Sequence, residues 1–270
     1  MRSSAASDVY KRQEFALSKE VKRATVHIAG MGLYELFING QRIGDQVLAP
    51  APTDYRKTIL YNTYDVTPQL RKENAIGVTL GNGRFYTMRQ NYKPYKIPTF
   101  GYPKLRLNLI VEYMDGSKET IATNTSWKLT TEGAIRSNNE YDGEEYDARK
   151  ELGNWTQSGY DDKSWIAAQR VSIPSGTLRA QIMPGMKVMD TLKPVSIQKL
   201  GDKYILDFGQ NMAGWMRFRI KGQAGDSIRL RFAETLQANG ELYTRNLRDA
   251  RSTDTYIAVS YTHLTLPTIA

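Results

Sequence analysis

Apolar side chains alternate with polar ones, or occur in short runs, from Val21 onward, and turn-forming residues interrupt them about every ten residues. The clearest alternation lies in residues 105–113, where the apolar positions are Leu105, Leu107, Leu109, Val111 and Tyr113. A period of two is the repeat of a β-strand with one buried face. No helical periodicity is sustained over about three turns. The chain is therefore predicted to be an all-β protein.

Two dipeptides indicate tight hairpin turns. Asn39-Gly40 follows the apolar segment 33–38, and both residue types readily take the positive φ angles that a type I′ turn requires. Asp115-Gly116 follows the alternating segment and leads into a strand predicted at 119–122. Other strands are predicted at 24–28, 59–64 and 75–80, and residues 154–164 are predicted to be a polar loop.

The sequence divides into two β regions. Residues 14–170 are predicted to form a first, jelly-roll-like β-sandwich, and residues 171–200, with Pro and Gly but little periodicity, a linker. Residues 201–258 are predicted to begin a second β-sandwich, with strands at 204–208, 215–221 and 227–233. Three or four strands are too few to close a sandwich, so the second one is expected to be incomplete.

Both ends differ from the sequence between them. Residues 1–13 and 259–270 look like translated sequencing-adapter sequence, which predicts that both are artefactual tails outside the fold. On this interpretation His263 is not native, and His27 is the remaining histidine.

Composition excludes several kinds of chemistry. The chain has no cysteine and two histidines, which removes disulfides, thiol nucleophiles and cysteine-based zinc sites. The net charge is +9, but Lys and Arg are scattered singly along the strands, a pattern that does not indicate a nucleic-acid partner. No apolar stretch approaches the roughly 20 residues that span a bilayer, so no membrane partner is expected.

An acidic run at 138–147 is the densest set of oxygen ligands in the chain. It could hold a calcium ion or the carboxylate pair of a glycosidase, although it lacks EF-hand spacing. The alternative is a solvated loop between strands, with Arg149 and Lys150 as local counter-charges.

Two loops carry residue types that suit sugar binding. The loop 81–103 combines aromatic rings with planar donors such as Arg84, which could contact the apolar face and the hydroxyls of a sugar. The same rings could instead pack the loop onto its own domain. In the loop 207–215, Gln210 and Asn211 could bind carbohydrate or brace a domain interface, or the segment could be a structural turn.

Ordered motifs along the chain resemble the N-terminal, non-catalytic part of bacterial α-L-rhamnosidases of glycoside hydrolase family 78. The resemblance covers about residues 15–258. Its motifs are LYELFING at 33–40, TDYR at 53–56, YDVT at 64–67, LGNGR at 80–84, YDGE at 141–144, DFGQNMAGW at 207–215 and RFAETL at 231–236. Pro50-Ala51-Pro52 stands where many relatives have Pro-Gly-Trp before Thr-Asp-Tyr, so a tryptophan that could stack on a ligand is missing.

The resemblance implies a β-sandwich module, the start of a second sandwich and, downstream, an (α/α)6 barrel whose glutamates cleave terminal α-L-rhamnose with inversion. The barrel is absent from this sequence, so no catalytic residue is assigned. Some relatives bind rhamnose through calcium, with ligands that include an Asp and a following Asn. Asp54 corresponds to that Asp, and Tyr55 occupies the position of the Asn.

The candidate carbohydrate-binding residues are Asp54, Asn82, Arg84 and Tyr86, and Asp54 is the candidate metal ligand. Three hypotheses follow. Under the first, the chain is the accessory region of an inverting α-L-rhamnosidase that acts on rhamnose-containing glycans or glycosides. Under the second, it is a calcium-dependent rhamnose-binding module. Under the third, it is a scaffold that packs against the catalytic domain of the same polypeptide. No cofactor is required under the first and third hypotheses, and calcium is required under the second.

Overall fold

The computed structural model of the chain describes residues 8–86, 99–220, 222–259 and 262–265. Regular structure in these ranges consists of β-strands and short 3-10 helices, which confirms the all-β prediction. The 3-10 helices are Thr67–Gln69, Ala148–Lys150 and Arg245–Leu247. The strands are β1 (Val9–Ala16), β2 (Val21–Met31), β3 (Leu33–Ile38), β4 (Gln41–Arg42), β5 (Thr58–Asp65), β6 (Glu73–Gly81), β7 (Lys104–Tyr113), β8 (Lys118–Ala122), β9 (Lys128–Thr130), β10 (Ile135–Asn139), β11 (Gly143–Asp147), β12 (Ile166–Ala167), β13 (Thr177–Ala180), β14 (Ser196–Leu200), β15 (Lys203–Asp207), β16 (Arg217–Ile220), β17 (Ser227–Arg231), β18 (Thr253–Ile257) and β19 (Thr262–Thr265).

The first region is a sandwich of two sheets. One sheet has the order β12-β9-β1-β6-β3-β4 and the other has the order β13-β5-β2-β7-β8. Side chains at alternating positions of both sheets form one core between them, built chiefly from Ala24, Val26, Ile28, Leu36, Ile38, Ile76, Val78, Leu80, Leu107, Leu109 and Val111, with Trp127. In the ranges described, no helix is long and apolar enough to cross a membrane.

Local sequence signals locate several elements correctly. Asn39 and Gly40 have φ angles of 51° and 82°, as a type I′ turn requires, and they connect β3 to β4. Strand β7 covers the alternating segment, with its apolar side chains facing the core and Gly116 (φ 82°) in the turn to β8.

Segments assigned to the tails and the linker contribute strands. Val9–Gln13 forms the first part of β1, which pairs with β6 and β9, and β19 pairs with β16. Within 171–200, β13 pairs in parallel with β5 at the edge of the first sandwich, and β14 begins at Ser196. Strand β13 is a short edge strand held mainly by backbone hydrogen bonds, so it needs no apolar alternation and leaves no sequence signal. Strand β1 instead lies inside its sheet and alternates in burial, and its first half was not predicted because residues 1–13 were interpreted as a tail.

A third sheet joins the two regions. Its order is β10-β11-β18-β17, with β10 and β11 from the first region and β17 and β18 from the second. The pairing of β11 with β18 is parallel and places Tyr146 opposite Tyr256. We call this sheet the joint. The remaining described strands of the second region form two-stranded sheets, β14 with β15 and β16 with β19, so the residues described do not close a second sandwich.

Candidate functional site

The acidic run forms the first-region half of the joint. Instead of an irregular loop, residues 138–147 make the hairpin β10–β11, closed by Asn139, whose Oδ1 accepts the N–H groups of Tyr141 (2.9 Å) and Asp142 (2.8 Å). Gly143 (φ 97°) continues the turn, and a Cβ there would collide with the backbone of β18. The Asp142-Gly143 pair is a turn signal for this hairpin. It was not used to predict the turn because it lies within a run of acidic residues that was interpreted as a ligand-rich loop.

Polar groups of the run make contacts across the joint and beside it. Glu144 is buried, and its backbone N–H donates to the Asp254 carboxylate at 2.9 Å. Asp147 accepts Nε and Nη2 of Arg149 at 2.8 Å each, and these hydrogen bonds hold the pKa of Asp147 below its usual value. The run therefore connects the two regions through backbone and side-chain contacts.

Asp54 lies in the turn that precedes β5. Its carbonyl oxygen accepts the N–H groups of Lys57 (2.8 Å) and Thr58 (2.9 Å). Both oxygens of its carboxylate are bound by the Arg56 guanidinium, at 2.9 Å from Nε and 2.9 Å from Nη2, which lowers the pKa of Asp54. A cation at Asp54 therefore competes with the Arg56 guanidinium for the carboxylate oxygens. Among the residues with described placement, no group of three or more His, Asp or Glu side chains could hold a metal ion.

Tyr55 is buried in a small aromatic core, whereas its neighbour Asp54 is partly exposed. Its ring contacts Phe85 edge-on at a centroid distance of 4.9 Å and Phe100 at 5.4 Å. Lys104 Nζ lies 4.6 Å from the centroid of Phe85 and donates to the carbonyl oxygen of Phe100 at 3.2 Å. These contacts fix both described ends of the loop 81–103 against the first sandwich, so Phe85 and Phe100 serve packing.

Asn82 ties the start of the same loop to the joint. It is buried, its backbone N–H donates to Oδ1 of Asn138 at 3.1 Å, and its Nδ2 donates to the Asn138 carbonyl oxygen at 3.0 Å. Its own carbonyl oxygen accepts the N–H groups of Phe85 and Tyr86. The side chain of Asn82 thus points into protein, where it positions the turn that carries Arg84.

Arg84 and Tyr86 reach the surface. Arg84 Nε donates to Glu140 at 3.2 Å, and 53% of the arginine side chain is exposed. The ring of Tyr86 stacks on Tyr102, with centroids 5.1 Å apart and planes inclined by 27°. Burial, together with Tyr102, raises the pKa of Tyr86. Tyr102 is 51% exposed and belongs beside the predicted residues, because it presents the outer part of this stack to solvent.

The other loop residues considered for sugar contacts are placed differently. Arg89, Asn91, Tyr92 and Tyr95 lie outside the described residues. The segment 207–215 is an irregular connection from β15 to β16, in which the N–H of Gly209 donates to Asp207 at 2.7 Å. Gln210 and Asn211 are exposed there.

Two family descriptions match successive parts of this architecture. Residues 19–190 match the α-L-rhamnosidase N-terminal domain, and residues 198–262 match the bacterial α-L-rhamnosidase concanavalin-like domain. The chain belongs to the α-L-rhamnosidases. Its sequence motifs had indicated this family, and both regions of the fold are accounted for by α-L-rhamnosidase domains.

Individual α-L-rhamnosidases agree over nearly the whole chain. An α-L-rhamnosidase of Formosa agariphila is 40% identical over 237 residues, which cover 86% of this chain and 25% of the relative. The structure of the α-L-rhamnosidase from Dictyoglumus thermophilum superposes with a TM-score of 0.88 at 41% identity, over 96% of this chain and 29% of that one. The structure of the Streptomyces avermitilis α-L-rhamnosidase complexed with L-rhamnose superposes with a TM-score of 0.88 at 36% identity. The superposition covers 96% of this chain and 25% of that one. The chain spans about a quarter of the length of the curated α-L-rhamnosidases it matches.

Proposed function

We propose that this chain is the accessory, non-catalytic β-sandwich region of an inverting α-L-rhamnosidase that acts on terminal rhamnose of glycans or glycosides. The observation that carries the proposal is the match to about a quarter of each curated relative, over the N-terminal and concanavalin-like domains. The hydrolytic acid and base then lie in an (α/α)6 domain elsewhere in the longer enzyme.

The contacts of the acidic side chains support this assignment. The Asp254 carboxylate accepts the backbone N–H of Glu144 across the joint, Asp147 is paired with the neighbouring Arg149, and Asp54 is engaged by Arg56. A glycosidase needs one carboxyl group to protonate the leaving group and a second to activate water, both open to the substrate. Asp254, Asp147 and Asp54, whose carboxylates are occupied by a backbone N–H or by a guanidinium group, do not meet that requirement.

Hydrolysis assays test the proposal. The purified chain should not release p-nitrophenol from p-nitrophenyl α-L-rhamnopyranoside. A chimera in which the chain replaces the matching N-terminal quarter of the S. avermitilis enzyme should release it, and NMR should detect the β-anomer of rhamnose first. Hydrolysis by the isolated chain that is lost in Glu145→Gln, but kept in the control Glu112→Gln on β7, contradicts the non-catalytic assignment. Initial appearance of the α-anomer shows retention by the S. avermitilis catalytic domain and contradicts the expectation that enzymes of this family invert.

Sugar binding by the first region is our second proposal, because a half-exposed tyrosine stack lies on the same loop as a half-exposed arginine. An exposed ring can cover the apolar face of a sugar, and a guanidinium group can donate to its hydroxyls. Tyr102 and Arg84 provide these two features. Calorimetric titration with L-rhamnose should give heat that disappears in Tyr102→Ala and persists in Tyr243→Ala, a partly exposed tyrosine of the second region.

Calcium dependence of that binding depends on Asp54. Because Arg56 occupies both carboxylate oxygens, Arg56→Gln should strengthen calcium binding and Asp54→Asn should abolish it. Titrations with calcium and with EDTA measure both effects. Equal heats with calcium and with chelator contradict the calcium ligand, and absence of heat in both leaves scaffolding as the role of the region.

A further inference from the structure

The sheet β13-β5-β2-β7-β8 carries a row of polar side chains on its outer face. In β2, Val26 and Ile28 face the core of the sandwich, so His27 between them points outward. The ladders place Thr63 of β5 opposite His27 on one side and Asn108 of β7 opposite it on the other. Residues that lie directly opposite each other in a sheet share a face, so His27, Thr63 and Asn108 form one outward row.

A second polar row adjoins the first. Tyr61 and Arg106 each lie two residues before a member of the first row, in β5 and β7, so their side chains point the same way. The rings of Tyr61 and His27 meet edge-on with centroids 5.8 Å apart, and Nδ1 of His27 lies 2.9 Å from the Thr63 hydroxyl oxygen. Thr63 and Arg106 are exposed, and the other three side chains are partly exposed. We call Tyr61, Thr63, His27, Arg106 and Asn108 the polar face.

Arg106 makes one end of the polar face positive. It pairs with Ala29 of β2 in the ladder. Asp65, the acidic residue of β5, pairs with Thr25, and about 13 Å of strand separates Thr25 from Ala29. Glu112, the acidic residue of β7, lies about 20 Å along its strand from Arg106. Strands β2 and β13 contain no acidic residue, so the acidic groups of these four strands lie away from the Arg106 charge.

The side chains of the polar face match the groups of an acidic sugar. A guanidinium group presents its donors in a planar fork that fits a carboxylate. The amide of Asn108 and the hydroxyl of Thr63 can exchange hydrogen bonds with sugar hydroxyls, and the ring of Tyr61 offers apolar surface to the ring of a sugar. Two rows across three strands cover about 10 Å by 7 Å, which accommodates one sugar unit.

We propose that the polar face binds a uronate, a sugar unit that carries a carboxylate, in the glycan on which the longer enzyme acts. The inference rests on the proposed function, which makes the ligand a glycan. Arg106 receives the carboxylate, and the row of Thr63, His27 and Asn108 receives the hydroxyls. This site is separate from the stack of Tyr86 and Tyr102, for which we propose binding of rhamnose.

Calorimetric titration with a tetramer of galacturonate tests the proposal. The same tetramer with its carboxylates methyl-esterified is the neutral probe, and it should bind about tenfold or more weakly because the charge-assisted hydrogen bonds are lost. Arg106→Gln should weaken binding of the charged tetramer by a similar factor. The control is Arg71→Gln, at an exposed arginine just before β6 of the other sheet, which removes the same charge and should change the affinity by less than about twofold.

Equal weakening by Arg106→Gln and Arg71→Gln overturns the proposal, because the net charge of the chain then explains the attraction. Equal affinity for the two tetramers overturns it, and so does absence of binding. In NMR spectra of the unsubstituted chain, the charged tetramer should shift the amides of His27, Thr63 and Asn108 most, and largest shifts at residues 99–104 contradict the assignment to this face. The tetramer contains no rhamnose, so its binding and the hydrolysis assays fail or succeed separately.

Discussion

Replacing Tyr256 by alanine should separate the unfolding of the two regions. Tyr256 is fully buried on β18, stacks on Tyr146 of the first region at 5.7 Å and contacts Phe218 of the second edge-on at 5.9 Å. Its ring is thus the packed centre of the joint, with one neighbour on each side. Removing it deletes both ring contacts and leaves a cavity between them.

The size of the effect follows from burial and from these contacts. Truncating a buried aromatic residue to alanine costs about 3–5 kcal/mol, a range that includes the cavity. Each ring pair is worth about 0.5–1.5 kcal/mol beyond burial, which favours the upper part of that range for Tyr256. A region of about 60 residues has a folding free energy of about 3–9 kcal/mol. Tyr256→Ala should therefore remove half or more of the stability of the second region, while the core of the first stays intact.

Hydrogen exchange measures this directly. In Tyr256→Ala, the amides of β17 and β18 should lose protection by a factor of about 100 or more, since about 1.4 kcal/mol corresponds to a factor of ten. The amides of β7 should keep theirs. Tyr243→Ala, at a tyrosine that is 38% exposed, is the control and should change neither set. Uniform loss of protection in both regions, or a change no larger than the control, would refute the view that Tyr256 couples them.

Three further predictions concern individual positions. Gly32→Ala should destabilise the chain by several times more than Gly116→Ala, because both have positive φ but only at Gly32 would a Cβ collide with a main-chain carbonyl oxygen; urea denaturation measures the difference, and equal midpoints would contradict it. Asn82→Ala should cost about 1–3 kcal/mol through a lost buried hydrogen bond, against about 0–1 kcal/mol for Arg84→Ala, whose ion pair is half exposed, and a larger effect at Arg84 would be inconsistent with these contacts. Burial raises the pKa of Asp254 in the folded chain, so the free energy of unfolding falls as the pH rises from about 4 through the raised pKa. Asp254→Asn should therefore unfold at a higher temperature than the parent chain at pH 7, and the difference between the two midpoints should vanish below about pH 4. A lower midpoint for Asp254→Asn at both pH values would exclude this account.

Local signals predicted the first sandwich well. The alternation in 105–113, the Asn39-Gly40 turn and the Asp115-Gly116 turn each reflect a constraint that acts within a few residues, and each element lies where it was expected. Strand β13 and the joint were not predicted, because their pairing depends on partners far away in the sequence. Nothing in 177–180 indicates that its backbone will bond to β5 in parallel.

The candidate site shows the same division. The loop 81–103 was expected either to bind sugar or to pack, and its described residues divide between the two: Phe85 and Phe100 are core, whereas Arg84 and Tyr102 are at the surface. Sequence alone cannot tell which aromatic rings of such a loop are buried, because Phe85 and Phe100 are buried by packing against Tyr55, which lies about thirty residues before Phe85. The pairing of Asp54 with Arg56 was within reach of the sequence, since the two residues are separated by one position.

The shared sheet of the joint determines the order in which this polypeptide can become structured. Strand β11 is synthesised about a hundred residues before β18, and the parallel ladder between them can form only after the second of them has left the ribosome. Until then the hairpin β10–β11 offers an unpaired edge, and cutting the chain between the regions would leave that edge permanently open to other chains. The smallest unit that can be transplanted into another protein is therefore both regions together, although the linker predicted between them suggests two independent units.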